Sequence, residues 1–250
     1  MLKVAIRSMT VIGLAVVLSG TNHPPVAAQG EALATAKRPT GPAKPTPRTA
    51  DGKVDLSGIW SPDRTFIYDI NEALKPGETL PIQPWALKVT VERPSKDDPE
   101  ALCLPTGVPR QAPYPWRIVQ TPTHIFFLFE GNIHSYRQIL MNGKHPDDPD
   151  PTWYGHSIGR WEGETLVVDS VGFKESEVSG YRTTESLHVV ERFRRPNLGT
   201  LSYEAVIEDP NVFAGPWLIT RTFPFLPEHD RVDEFICENN RDYKPLFGNK

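Results

Sequence analysis

From Trp116 onward the chain is a succession of short runs rich in β-branched and aromatic residues. Each run is closed by Gly, Pro, Asn or Asp. They read WRIVQTP (116–122), HIFFLFE (124–130), HSYRQILM (134–141), GHSIGRWE (155–162), ETLVVDSVGF (164–173), SLHVVERFRR (186–195), TLSYEAVIED (200–209), PWLITRTFPF (216–225) and RVDEFICEN (231–239). The 26 prolines are about twice the ordinary ~5% share. They crowd the first fifty residues and the connections and mostly avoid the apolar runs, which argues against long helices. Sequential strands with short connections predict an all-β fold, an antiparallel meander. A meander must hide its edges, so it is expected to close into a lipocalin-like barrel of about 8–10 strands, with a two-sheet sandwich as the alternative. A barrel of that size encloses one small ligand. Upstream, Leu80–Val91 holds a short helix after Pro84.

The ends of the chain carry different signals. Lys3 and Arg7 precede the apolar run Met9–Gly20, and Val26-Ala27-Ala28 offers small residues before a cut. This is the pattern of a secretory signal peptide over residues 1–28, too short to span a bilayer stably. Residues 29–54, rich in Ala, Pro, Lys and Thr, read as a flexible linker. Residues 55–250 read as a single barrel domain, periplasmic or secreted. No later stretch is apolar enough to cross a membrane. Leader removal leaves 25 basic against 31 acidic residues, a net of −6. That balance disfavours nucleic acid as a partner. An oxidising compartment makes Cys103 and Cys237 a disulfide expectation, two separate buried thiols being the alternative. Exposed strand edges would favour a homodimer.

Two resemblances bear on this reading. Gly58-Ile59-Trp60 resembles the Gly-x-Trp signature of lipocalins, which implies a late arginine over the Trp, here Arg221 or Arg241. More broadly, DGKVDLSGIW, CLPTGVPR, PTWYGHSIGRWEGETLVVDSVGF, LHVVERFRR and FICENN resemble a family of secreted bacterial proteins of unassigned function. That resemblance implies export, one domain and the two cysteines as a unit. It carries no catalytic assignment.

The candidate chemistry therefore comes from residue types on strands. If Glu162-Gly163 forms a two-residue hairpin loop, Trp161 pairs with Glu164 and His156 with Asp169, an imidazole beside a carboxylate. Arg160 and Val167 share that face. A three-residue loop would separate the pair. On 185–193, alternation puts Leu187, Val189, Glu191 and Phe193 on one face and His188, Val190 and Arg192 on the other. Either face carries an ionisable group inward, as a site or as a structural ion pair. In the hairpin 125–139, a Gly131-Asn132 turn would set Phe129 against His134, Phe127 against Tyr136 and Phe126 against Arg137, with both faces buried.

No HExxH, HxH or CxxC spacing points to a metal, and the acidic run after His145 lacks the glycine and terminal Glu of a calcium loop. There is no Gly-x-Ser-x-Gly and no nucleotide fingerprint. No cofactor is expected. Three readings remain. One is a cofactor-free lyase or isomerase acting on a small apolar or aromatic molecule. Its acid/base groups would be His156, Asp169, His188 and Glu191, and its contacts Arg137, His134, Tyr154, Arg192 and Trp161. The second is a lipocalin-like carrier, and the third a cell-envelope interaction protein.

Overall fold

The computed structural model describes residues 44–61, 79–92, 99–109, 114–131, 135–178 and 181–234. Among them lie eleven strands: β1 (Gly58–Trp60), β2 (Trp116–Gln120), β3 (His124–Phe129), β4 (Tyr136–Met141), β5 (His156–Glu162), β6 (Thr165–Val171), β7 (Ser176–Val178), β8 (Tyr181–Thr183), β9 (His188–Asn197), β10 (Thr200–Glu208) and β11 (Trp217–Pro224). The helix α1 (Pro84–Glu92) starts on its proline, whose fixed φ and missing N–H suit the first helical position. The fold is all-β, as the sequence predicts, and none of its helices is long and apolar enough to cross a membrane among the described residues. Of the last expected strand, Arg231–Glu234 is not strand, and the rest lies outside the described residues.

Nine strands form one sheet in the order β1-β2-β3-β4-β5-β6-β9-β10-β11, and β7–β8 pair as a separate hairpin. The sheet curls into a nearly closed barrel. Its two ends meet where Trp60 bridges Phe225. There Ser61 N–H donates to Pro224 O (2.8 Å) and Leu226 N–H to Ile59 O (2.9 Å). β1 and the end of β11 are thus joined over these residues.

One junction departs from the meander: β4 and β5 are parallel, with Leu140 opposite Ile158. Parallel neighbours need a crossover of about a dozen residues. Asn142–Gly155 supplies it and lies over the outer face of the barrel's β5–β6 corner. Thr152 N–H donates to Gly172 O (3.0 Å) and Lys174 N–H to Thr152 O (2.9 Å). Gly172 makes this approach possible. Its φ is +69°, and a Cβ there would stand 2.8 Å from Pro149 Cγ.

Alternation sorts the side chains. Val189, Glu191 and Phe193 point inward from β9, with Leu187 just before it, and Tyr203, Ala205 and Ile207 from β10, and all are buried. The inward β9 face is the one with the greater apolar load, which carries Glu191 in with it. Phe127, Phe193, Tyr203, Trp116 and Phe223 form a chain of ring contacts at 5.1–5.7 Å across the interior.

At one end Trp60 is fully buried. An arginine covers it, as the lipocalin resemblance implies, but it is Arg195 and not Arg221. Its Cζ lies 4.8 Å from the Trp60 and Phe225 ring centroids. Arg195 also donates to the carbonyls of Asp55 (2.6 Å) and Leu198 (2.8 Å). Arg241 lies outside the described residues. The tail of the expected linker packs here as well: Leu198 N–H donates to Lys44 O (3.0 Å) and Thr46 Oγ1 to Arg195 O (2.9 Å).

Candidate functional site

The β5–β6 hairpin decides the geometry of the outer face. Its loop is Gly163-Glu164, so Glu162 pairs with Thr165, Ile158 with Asp169 and His156 with Val171. The turn sits one residue later than Glu162-Gly163 because the first loop position of a type II′ turn needs positive φ. Gly163 takes it, at +61°. The pairing moves by two residues and parity is kept. His156 and Asp169 therefore share one face as expected, which is the outer one, as diagonal neighbours and not as direct partners.

A histidine from the crossover spans that diagonal. His145 Nδ1 lies 2.9 Å from His156 Nδ1, and His145 Nε2 lies 3.1 Å from Asp169 Oδ1. The two rings meet edge to face at 5.1 Å. From the other side, His188 Nε2 lies 3.1 Å from the same Asp169 oxygen, and His188 Nδ1 lies 3.2 Å from Glu208 Oε2. Five ionisable side chains thus run in contact as His156, His145, Asp169, His188 and Glu208. Asp169 is 27% exposed and His145 21%, so both are partly buried. Both His188 nitrogens face carboxylates. Burial, with a smaller contribution from His145, holds the His156 pKa below that of an ordinary histidine, which favours its neutral form.

Sequence reasoning missed His145 and Glu208. No periodicity places His145, since it sits in the long crossover. Glu208 is hidden by a register shift between Thr200 and Ser202. Counting from the Thr200–Asn197 pair would put Glu208 against Val189. The irregularity moves it to His188, and a one-residue slip exchanges the faces.

The interior holds a second polar cluster. Arg137 Nε donates to Ser157 Oγ (3.1 Å), and its Nη2 to Ser170 Oγ (2.8 Å) and Glu191 Oε2 (2.5 Å). Tyr203 OH donates to Glu191 Oε1 (3.0 Å). β4, β5, β6, β9 and β10, consecutive in the sheet, each give one side chain to this belt. Arg137 is 1% exposed and Glu191 fully buried. Glu191 is therefore parted from the outer-face histidines that the sequence grouped with it, because adjacent strand residues face opposite ways. Arg137 reaches the interior because β3–β4 has Phe127, not Phe126, opposite it. Phe129 N–H donates to Ser135 O (3.1 Å), and the odd count of residues between those two in the sequence shifts the two-residue-turn register by one. Nor is the hairpin buried on both faces: Tyr136 is 61% exposed.

The remaining candidates separate. Arg192 and Arg160 both donate to Glu162, at 2.8 Å each, in an exposed network on the outer face. Such pairs are worth little. Trp161 packs against the core. Tyr154 shares a hydrogen bond with Ser135 Oγ (2.7 Å) and stacks on Phe129. Burial pushes its phenol up to about 12. Cys103 is buried and not free. Cys237 and His134 lie outside the described residues. Among the described residues no group of three or more His, Cys, Asp or Glu is placed to hold a metal ion. Compared with known proteins, the chain matches no family model, no curated protein and no solved structure.

Proposed function

We propose that this chain is an exported catalyst of the lyase or isomerase type, acting on a small apolar or aromatic molecule by acid/base chemistry. The site is the outer face of β5–β6–β9 and not the barrel interior. One observation carries the reading: Asp169 Oδ1 lies 3.1 Å from both His145 Nε2 and His188 Nε2, and the row continues to His156. A carboxylate that orients an imidazole and makes it more basic equips a general base. Leu140, Ile158 and Val190 lie on the same outer face around Asp169 by register, an apolar bed for an apolar body.

The test needs no named substrate. A panel of small aromatic and aliphatic carbonyl compounds is incubated with the protein in D2O, and proton NMR reads deuterium entry at the acidic carbon. The wild type is expected to speed exchange for at least one compound. His156→Ala should lose about 10²–10⁴-fold, the usual worth of a general base, with its circular dichroism unchanged. Equal exchange by His156→Ala, or no exchange across the panel, overturns the reading.

A lipocalin-like carrier is the second reading, and Arg137 favours it. Its Nη1 is buried without a hydrogen-bond partner, a feature that suits one anionic ligand group within an aromatic interior. Saturable binding of 1-anilinonaphthalene-8-sulfonate by wild type but not by Arg137→Met would support it. Export and the Cys103–Cys237 link belong to the same proposal. Peptide mapping without reductant should find the two cysteines joined, and two alkylated peptides would refute this.

A further inference from the structure

Resting on the acid/base reading above, we propose that His145 is a positioning residue that holds His156 in its Nδ1–H tautomer and so makes His156 Nε2 the proton-accepting atom. Protons can be counted along the row. An ionised Asp169 can only accept. A ring lone pair facing its Oδ1 at 3.1 Å would be repelled, so His145 and His188 both carry hydrogen on Nε2. A neutral His145 then has its lone pair on Nδ1. His156 Nδ1 stands 2.9 Å away, and one proton must lie between the two nitrogens. His156 supplies it. A neutral ring protonated at Nδ1 has its lone pair on Nε2.

The same contacts give the proton a route. When His156 Nε2 takes a proton, an N–H bond forms there. The N–H bond at His156 Nδ1 breaks and re-forms at His145 Nδ1 along the existing contact. The positive charge comes to rest on His145, against the Asp169 carboxylate. His188 is held apart from this exchange by its second carboxylate, Glu208 (3.2 Å). This role lies in the Asn142–Gly155 crossover, whose acidic run after His145 matches no site pattern in the sequence.

The test is a spectrum of the full mature chain with 15N-labelled histidine. Long-range proton–nitrogen correlations at pH 8 distinguish the two tautomers of a neutral ring, and His156→Gln identifies the His156 signals. The wild type is expected to show His156 protonated at Nδ1 and bare at Nε2. In His145→Ala the ring should move toward the Nε2–H form that free histidine prefers. In His145→Asn the amide oxygen replaces the Nδ1 acceptor, and the wild-type tautomer should return. An Nε2–H tautomer for His156 in the wild type overturns the proposal, as does an unchanged tautomer in His145→Ala. The readout is independent of turnover. A correct tautomer without deuterium exchange would sink the catalytic reading alone, and exchange with the wrong tautomer would sink only the role of His145.

Discussion

Replacing Glu191 with leucine should be among the most damaging single changes in the barrel. Glu191 is fully buried and Arg137 is 1% exposed. The leucine strips Arg137 Nη2 of its counter-charge at 2.5 Å and leaves Tyr203 OH without the acceptor it has at 3.0 Å. Breaking a buried ion pair from one side costs about 3–5 kcal/mol, because the surviving charge stays desolvated. The orphaned phenol adds about 1–3 kcal/mol. Ser157 and Ser170 still bond Arg137 and soften the loss, so a total of about 4–6 kcal/mol is expected. Against a domain stability of about 5–15 kcal/mol this is large. Urea unfolding is the assay. With a slope of about 2–3 kcal/mol per molar, the midpoint should fall by roughly 2 M. The double variant Arg137→Met/Glu191→Leu removes both charges, and it should recover to within about 2 kcal/mol of wild type. A single variant within about 1 kcal/mol of wild type would refute the reasoning, and so would a double variant as unstable as the single.

Three further outcomes follow from the same geometry. The doubly protonated form of the His156 ring should appear only below the ordinary histidine value, because burial and His145 hold its pKa down. An NMR titration in which that form of His156 reaches its midpoint at or above about 6.5 would contradict this. His156 also contributes stability that is full above its unfolded pKa and lost as pH falls through the lower folded one. Tyr154 behaves in the opposite sense. Its folded pKa, pushed up by burial to about 12, favours the neutral phenol. Its stability is full below about pH 10 and lost as pH rises through about 12, and absorbance near 295 nm should show it ionising late. Gly172→Ala should cost more than about 1 kcal/mol, since its φ is +69° and the new Cβ would meet Pro149 Cγ at 2.8 Å. It should also shift the crossover and weaken the His145–His156 contact, read from the His156 tautomer. A melting temperature and tautomer equal to wild type would count against it.

The strands were legible because their side chains repeat every two residues. Eight of the nine expected runs contain strands at the expected places, and the alternation in 187–193 and 201–209 sorted the faces correctly. The helix after Pro84 follows from local chemistry as well. The sharing of one face by His156 and Asp169 was legible too, since any two-residue loop preserves parity. Registers that depend on a bulge or an odd loop were not legible. The shift near Thr200 and the loop after Phe129 each exchange faces, and neither changes composition. Which strands become neighbours was decided only in three dimensions. The parallel β4–β5 pair lays a crossover over the sheet, and β9 joins β6 after a detour through β7–β8. The sequence by itself determined an all-β chain of alternating strands that carry histidines and carboxylates, and closure chose the barrel over the two-sheet sandwich. Tertiary structure alone sent Glu191 inward to Arg137 and brought His145, from 24 residues away, against Asp169 outside. Local patterning has no term for a contact whose partners are set by closure and register.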